Sequence, residues 1–177
     1  QYGYHFDSVL IGKFLREKAK ESGVSHIEAT VEKVEQESDG SIKSLLLNKG
    51  QILSGNYFVD CSGFASILLQ KTLKVPFVSF AENLFNDSAV AIPTDIETEI
   101  PAETLSTALS NGWAWKIPLT NRFGNGYVFS SKYCSPDEAE TELRSHLDIL
   151  ESDVEARHLK MKVGRVQELS LIHISEP

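Results

Sequence analysis

The sequence predicts a mixed α/β fold of the α+β kind, in which antiparallel sheets are covered by helices. Three observations predict it. Apolar residues between Val9 and Ala19 recur at helical spacing, short apolar runs further on are separated by glycine turns, and "SPDE" at 135–138 is a strong helix start. The 177 residues are 41% hydrophobic and 24% charged, which is typical of a globular chain with one or two cores.

The first predicted element is an amphipathic helix that ends near Glu21. Asp7 or Ser8 caps its first turn, because both side chains can accept hydrogen bonds from free backbone amides. Lysines and arginines occupy the face opposite the apolar one, and Gly23 supplies a left-handed stop.

An antiparallel meander is predicted next. The runs "HIEATVEKVEQ" and "IKSLLLN" are predicted strands joined by a turn at 38–40, and a second turn at 48–50 leads towards "NYFVDCSG". Within that run, "YFVDC" at 57–61 is predicted to be a buried strand. It ends at Ser62 and Gly63, and "FASILLQKTL" after it is predicted to form a short helix.

From about Pro76 the sequence predicts a second sheet with a covering helix. The strand candidates are "AVAIP" and "GYVFSSKY", and the helix capped by Ser135 is expected to run to about Leu150. The "GNG" at 124–126 is not a dinucleotide-binding motif, since it precedes a strand instead of opening a helix. It is predicted to be a hairpin turn.

Charge and composition exclude several classes of function. A net charge of -8, a pI near 5.1 and the lack of any Lys/Arg cluster argue against a nucleic acid partner. No apolar run approaches the roughly 20 residues needed to cross a bilayer, and the N-terminus lacks the pattern of a signal peptide. Cys61 and Cys134 lie far apart without metal-ligand spacing, which favours free thiols over a disulfide or a metal site. We therefore expect a cytoplasmic protein.

Both tryptophans of the chain stand two residues apart in "GWAWKIP" at 112–118. On a strand, Trp113 and Trp115 point to the same face and form one aromatic wall, each able to bury on the order of 200 Å². The wall is either the core of the second sheet or a surface beside a planar ligand or cofactor. Pro118 favours the edge or the end of a strand, because a proline removes a ladder hydrogen bond, and a cofactor could lie at an edge.

Other candidates carry weaker signals. His5, His26 and His158 have no nucleophile or carboxylate partner identifiable by spacing, so surface or capping roles are favoured over general base catalysis. The "DCSG" at 60–63 follows the predicted buried strand, and its small residues allow a helix or a cofactor to approach closely.

The chain resembles the middle of flavin-dependent tryptophan halogenases in six segments, in the same order and spacing: "YHFDSVLIGKFLREKAKESGV", "VEKVEQESDGSI", "NYFVDCSGF", "NDSAVAIP", "GWAWKIPLTNRFGNGYVFSSKY" and "SPDEAETEL". The resemblance spans residues 1 to about 167, and "WAWKIP" at 113–118 is its most specific signature. It implies an incomplete FAD-binding module of the aromatic-hydroxylase type. Residues 1–75 are then the C-terminal part of that module, and residues 76–167 are a sheet-rich region that begins the substrate region.

The resemblance also implies which residues lie near the cofactor. The backbone at Val31 lines the adenine side of the FAD site, and Gly63 lies close to the cofactor. Four further residues are implied to stand near the flavin and to bar an organic substrate from it: Trp113, Trp115, Ile117 and Pro118.

The activity implied by the resemblance is halogenation. Reduced FAD and O2 oxidise chloride or bromide instead of hydroxylating the substrate, and the oxidised halogen reaches tryptophan or another aromatic compound in a separate pocket. A wall that stops the substrate but passes a small oxidant suits this chemistry. A flavin reductase is the expected source of reduced FAD, and a homodimer is an assembly that the resemblance allows.

The resemblance implies that the family's dinucleotide-binding motif and its catalytic lysine and glutamate lie outside this sequence. No catalytic residue is therefore assigned here, and neither Lys33 nor Lys116 takes that place. The chain starts with Gln1, and "LSLIHISEP" departs from the family, so we expect an internal fragment with a non-native tail at 168–177.

On its own, such a segment is predicted to be inactive and poorly stable, because half a flavin module leaves apolar surface uncovered. Two alternatives to the halogenase interpretation stay open. One is a flavin-dependent aromatic monooxygenase, and the other is a non-catalytic remnant.

Overall fold

The computed structural model describes residues 3–167 of the chain. Its helices and strands, in chain order, are α1 (Ser8–Glu21), β1 (Val31–Gln36), β2 (Ile42–Leu47), β3 (Ile52–Ser54), β4 (Phe77–Ser79), β5 (Ser88–Thr94), β6 (Leu105–Leu109), β7 (Gly112–Pro118), β8 (Phe123–Phe129), α2 (Pro136–His146), β9 (Arg157–Lys160) and β10 (Gly164–Val166). All paired strands are antiparallel, so the predicted mixture of helices and antiparallel sheets is confirmed.

The described residues form two compact units. The larger unit comprises residues 3–21 and 80–163, and the smaller unit comprises residues 22–79 and 164–167. The functional division expected between residues 75 and 76 stays a prediction. The tail expected at 168–177 lies outside the described residues.

Helix α1 begins where its capping residue predicts. The Asp7 carboxylate accepts hydrogen bonds from the N–H groups of Val9 and Leu10, at 2.9 and 3.2 Å, which satisfies two amides of the first turn. The other oxygen of Asp7 accepts a hydrogen bond from Arg122 at 3.0 Å and so connects the helix to the segment before β8. No side chain of α1 is buried, and Phe14 is among its exposed apolar residues.

The smaller unit contains the predicted meander. Strands β1, β2 and β3 form one sheet in that order, and β4 pairs with β10 in a second sheet. Residues 37–41 connect β1 to β2, and a short 3-10 turn with Lys49 and Gly50 at positive φ connects β2 to β3. Both turns and strand β2 agree with the sequence prediction, whereas β1 begins at Val31 instead of His26 and β3 was not predicted.

The buried strand predicted at 57–61 is wrong. The segment forms no strand, and Tyr57 and Val59 are 64% and 69% exposed. The apolar run predicted burial, but a strand also needs a neighbour to bond with, and no described strand pairs with this segment. The helix predicted after it is present in altered form, as a 3-10 turn at Gly63–Ala65 followed by a π-helix at Ile67–Thr72.

The larger unit is built on a five-stranded sheet in the order β6-β7-β8-β5-β9. Directly paired residues in antiparallel strands share a face, so the register divides the sheet into two faces. One face packs against α2 and forms the core, whose buried members are Val90, Ile92, Ala114, Tyr127, Phe129, Cys134, Ala139 and Leu143. The opposite face carries the two tryptophans.

The hairpin turn predicted at 124–126 is also wrong. These residues lie inside β8, where they pair with β5 on one side and β7 on the other. The turn between β7 and β8 lies earlier, and the Leu119 N–H closes it by donating to the Arg122 carbonyl at 3.0 Å. Glycine is typical of turns because of its backbone freedom, but here it leaves room above the strand.

Helix α2 begins as predicted and ends earlier. The Ser135 side chain accepts from the Glu138 N–H, and the Glu138 carboxylate accepts from the Ser135 N–H, which is a complete capping box. The helix ends at His146 instead of about Leu150, because Asp148 adopts a left-handed conformation with φ 56°.

A buried tyrosine connects α2 to the turn between β6 and β7. The Tyr127 hydroxyl accepts a hydrogen bond from the Asn111 N–H at 2.9 Å and is also hydrogen-bonded to the Glu142 carboxylate. Glu142 accepts a further hydrogen bond from the Ser110 N–H at 2.9 Å. Burial, reinforced by the nearby Glu142 carboxylate, raises the pKa of Tyr127 to about 12. The hydrogen-bonded group of Tyr127 and Glu142 thus connects β8, α2 and the turn between β6 and β7.

No helix within residues 3–167 is long and apolar enough to span a membrane.

The packing of α2 on the sheet makes Leu143 a test of the core. Leu143 is fully buried, so Leu143→Ala is expected to lower the free energy of unfolding by about 3 kcal/mol, through lost apolar contact and the cavity left behind. Leu150→Ala is the matched control, because Leu150 is exposed, and its effect should stay within about 0.5 kcal/mol. Equilibrium urea unfolding of the 177-residue chain, followed by circular dichroism, measures both. Equal effects would contradict this assignment of the core.

The raised pKa of Tyr127 predicts a change of stability at high pH. The pKa of Tyr127 rises from an ordinary 10.0 to about 12 on folding. The protonated hydroxyl therefore makes its full contribution to the free energy of unfolding below pH 10, and this contribution is lost as the pH rises towards 12. Tyr127→Phe is expected to lower the free energy of unfolding by about 1 to 2 kcal/mol at pH 8, since it leaves the partly buried Asn111 N–H without its acceptor. The difference in the free energy of unfolding between Tyr127→Phe and the parent chain should be smaller by about 1 kcal/mol at pH 11 than at pH 8.

Urea unfolding at the two pH values measures this narrowing. Tyr133→Phe is the control, because Tyr133 is exposed, and removal of its hydroxyl should leave the free energy of unfolding unchanged at both pH values. Parallel pH curves for the parent chain and Tyr127→Phe would show that Tyr127 does not titrate as a buried group.

Candidate functional site

The two tryptophans lie on the face of the sheet opposite α2. Trp113 pairs with Val128 and Trp115 with Gly126, and their ring centroids are 6.0 Å apart with the planes tilted by 56°. The predicted shared face is therefore confirmed. The rings form a tilted pair and not one flat surface.

Strand β7 is not at the edge of the sheet, since it lies between β6 and β8. The edge position that Pro118 allowed is therefore wrong, whereas the strand end that it also allowed is confirmed. Pro118 is the last residue of β7 and pairs with Phe123 beside the turn. At the end of a strand its missing N–H removes little from the ladder.

The two rings have different surroundings. The six-membered ring of Trp115 lies directly over Gly126, where a Cβ atom would fall 2.1 Å from Cζ2 of the indole. Trp115 is half-buried there, whereas Trp113 is 42% exposed. Trp115 is thus seated in the sheet, and Trp113 is the more exposed of the two rings.

The remaining two residues of the signature divide between the faces. Ile117 lies two residues after Trp115 on the strand and therefore shares its face, whereas Pro118 points to the opposite face and is buried. Lys116 also points away from the tryptophans, pairs with Glu97 and lies over the Phe123 ring at 4.3 Å. The side chain of Lys116 is therefore not part of the tryptophan surface.

Val31 presents its backbone at an open edge of the three-stranded sheet. Val31 pairs with Leu47, whose N–H donates to the Gln51 carbonyl. The preceding Thr30 accepts at its carbonyl from the Asn48 N–H at 2.8 Å and donates its N–H to the Asn48 side-chain oxygen at 3.1 Å. Successive residues of a strand direct their polar groups to opposite sides, so the N–H and C=O of Val31 point to an edge with which no described strand pairs. A planar ring with a donor and an acceptor on its rim, such as adenine, fits such an edge.

The turn at 60–63 has its own internal partners. The Asp60 carboxylate accepts from the N–H groups of Leu68 and Leu69, at 2.9 and 3.0 Å, and from Ser62. Burial acts to raise the pKa of Asp60, but these hydrogen bonds outweigh it and hold the pKa below its usual value. The Ser62 amide of this turn and two amides of the following π-helix are thus used by the chain itself. Gly63 has φ +60° and open space where a Cβ would stand, so a ligand can approach its backbone.

The histidines take part in surface contacts. His5 lies 3.1 Å from the Thr104 hydroxyl, and His158 lies 2.7 Å from the Glu140 carboxylate. His26 is exposed. The groove along α2, lined by residues that include Glu142 and His146, lies on the face of the sheet away from the tryptophans.

The sequence does not predict the roles of two residues of β8, namely Gly126 on the tryptophan face and Asn125 on the opposite face. The sequence predicts a turn at Gly126, but in the strand register this glycine lies directly opposite Trp115 and makes room for its ring. Asn125 is 2% exposed and donates to the Ile92 carbonyl at 3.1 Å and to the Thr94 hydroxyl at 2.9 Å. Neither role is visible before the strands are paired.

Comparison with known proteins shows a close relationship. The family model described as tryptophan halogenase matches residues 1–170. The chain is 43% identical over 170 residues to the tryptophan 6-halogenase of Streptomyces toxytricini, a match that covers 94% of this chain and 32% of that protein. It is 38% identical over 168 residues to the tryptophan 7-halogenase of Lentzea aerocolonigenes, covering 93% of this chain and 32% of that protein.

Solved structures give the same result. The crystal structure of the Streptomyces toxytricini enzyme matches with a TM-score of 0.89 and 41% identity, covering 93% of this chain and 33% of that one. BrvH, a flavin-dependent halogenase from Brevundimonas sp. BAL3, matches with a TM-score of 0.83 and 36% identity, covering 92% and 33%. The chain thus spans about a third of the length of these relatives. It belongs to the tryptophan halogenase family.

Proposed function

We propose that this chain is the middle part of an FADH2-dependent halogenase that oxidises chloride or bromide with O2 and halogenates tryptophan or another indole or aromatic substrate. The observation that carries the proposal is the pair of tryptophans, with Trp115 seated on Gly126 and Trp113 exposed beside it. Family membership and the fit to a third of the relatives' length support it.

In this proposal the tryptophan pair works by exclusion. When bound, reduced flavin and O2 supply the oxidising power that converts a halide into an electrophilic halogen. Two adjacent indole rings block a body as large as another indole but leave gaps for a single halogen species. The contribution of Trp113 and Trp115 is therefore to separate the organic substrate from the oxidant, and they need to donate no proton or electron pair.

The cofactor contacts in the proposal involve backbone groups. Val31 offers an N–H and a C=O at the open sheet edge to the rim of adenine, and Gly63 offers close approach because it has no side chain. Backbone contacts of this kind bind a ring in a fixed orientation and depend little on side-chain identity. Reduced FAD, a halide, an aromatic substrate and a separate flavin reductase complete the proposed set of partners.

Two other functions compete with this proposal. A flavin-dependent aromatic monooxygenase would use the same kind of cofactor module but needs its substrate to reach the flavin. The paired tryptophans disfavour such access. A non-catalytic remnant would keep the fold and lose the chemistry.

A chimera distinguishes these possibilities. In the chimera, residues 3–167 of this chain replace the corresponding third of the tryptophan 6-halogenase of Streptomyces toxytricini, to which the chain is 43% identical. With a flavin reductase, NADH, O2 and chloride or bromide, we expect halogenated tryptophan, detected by mass spectrometry, and no such product when halide is omitted. The unaltered Streptomyces enzyme is the positive control.

The outcome of the chimera experiment separates the three functions. Hydroxylated tryptophan that forms without halide would favour the monooxygenase. The Streptomyces enzyme supplies the catalytic lysine and glutamate of the chimera. A chimera that retains FAD, and has therefore folded, but forms neither product would show that the segment from this chain does not support the chemistry, which would favour the remnant.

The exclusion role predicts an effect of Trp113 in the same chimera. Trp113→Ala removes the exposed ring and opens the wall, so the yield of halogenated tryptophan per NADH oxidised is expected to fall at least about tenfold. Trp113→Phe keeps an aromatic ring and should retain most of the yield. Product quantification beside NADH consumption measures the ratio, and an unchanged ratio in Trp113→Ala would argue against exclusion.

A further inference from the structure

We propose that Gly126 is a positioning residue for the tryptophan pair, and that Trp113 is the ring that meets the substrate side while Trp115 supports it. The proposal rests on the proposed role of the tryptophans as a barrier. Its starting point is the seat of Trp115, which occupies the space that any side chain at residue 126 would need.

The requirement for glycine at 126 is one of space. Gly126 lies in the extended backbone of β8, so its conformation is open to any residue. An added Cβ would stand 2.1 Å from Cζ2, 2.2 Å from Cη2 and 2.7 Å from Cε2 of Trp115, and all three atoms belong to the rigid indole. Even alanine at 126 must therefore displace the ring.

Gly124 shows what an ordinary glycine of the same strand looks like. It is two residues away on the same face, and an added Cβ would meet the Nη1 atom of Arg122 at 3.4 Å and the Ile117 carbonyl at 4.0 Å. The first contact is with the flexible end of a long side chain, and the second is an ordinary van der Waals distance. Alanine is tolerated at 124 and not at 126, which makes Gly124 a matched control.

The position of Trp115 determines that of Trp113. The two ring centroids are 6.0 Å apart, within the range of favourable aromatic contact. Trp113 has Val128 and Ala108 as its directly paired neighbours, and it remains 42% exposed. Displacement of Trp115 from its seat removes the lateral support that holds Trp113 in this orientation.

The first test is spectroscopic and uses the 177-residue chain, in which Trp113 and Trp115 are the only tryptophans. Two indole rings this close couple their electronic transitions, so the parent chain should give a paired positive and negative circular dichroism signal that Trp115→Phe abolishes. Gly126→Ala is expected to abolish the paired signal and to shift the fluorescence to longer wavelength. Gly124→Ala should preserve both.

A double-mutant cycle tests whether the two effects arise at one contact. Trp115→Phe removes the indole atoms that an added Cβ would strike, so Gly126→Ala should lower the urea midpoint far less in that background than in the parent chain. Gly124→Ala should lower it equally in both backgrounds. If Gly126→Ala does not fold alone, the double variant should restore folding. An equal loss in both backgrounds overturns the proposal.

The second test is catalytic and uses the chimera. Gly126→Ala should lower the yield of halogenated tryptophan per NADH oxidised about as much as Trp113→Ala does, and Gly124→Ala should leave it unchanged. If the chimera with Gly126 makes no halogenated product while the spectroscopic effects appear, the proposed function fails and the seating of Trp115 stands. If the chimera is active and Gly126→Ala alters the spectra but not the yield, the positioning role is overturned.

Discussion

The pairing of β7 with β8 is the constraint on which the larger unit depends. It places Ala114 opposite Tyr127 on the core side and Trp115 opposite Gly126 on the other side. Side chains alternate along a strand, so a slip of one residue would turn both tryptophans towards α2 and Ala114 away from it. The core has room for an alanine at that point because Tyr127 fills the space beside it. One register therefore satisfies both faces, and the neighbouring registers satisfy neither.

Polar groups make the pairing of β8 specific on both of its sides, with β7 through Tyr127 and with β5 through Asn125. The Tyr127 hydroxyl bonds to the Asn111 N–H, and the Asn125 amide bonds to the Ile92 carbonyl and the Thr94 hydroxyl. The Asn125 side-chain oxygen is buried without a hydrogen-bond partner among the described residues, and such a group costs about 1 to 3 kcal/mol. Any slip would leave more buried groups in that state. These contacts thus select among registers more than they add to the total stability.

The prediction of the fold succeeded where the information is local. The starts of both helices followed from Asp7 and Ser135, because a cap acts within three residues of itself. It failed where a distant partner decides the outcome. The apolar run at 57–61 has no described strand to pair with, and the small residues at 124–126 are opposite β7 and β5 instead of forming a turn. The shared face of the tryptophans follows from spacing alone, but the glycine beneath one ring becomes visible only when the strands are paired.

The unequal surroundings of the two tryptophans indicate how a barrier can be both fixed and exposed. A ring that is free on both sides would change its rotamer within nanoseconds, whereas a ring pressed onto backbone cannot move without displacing the strand. Trp115 meets this requirement through its contact with Gly126. Trp113 lies against Trp115 and leaves 42% of its surface open, which is unfavourable for an indole unless another molecule or another part of the protein covers it. In the proposed barrier to an aromatic substrate, one such open ring is held by a second ring that is not free to move, and the β7–β8 pairing supplies this order of support.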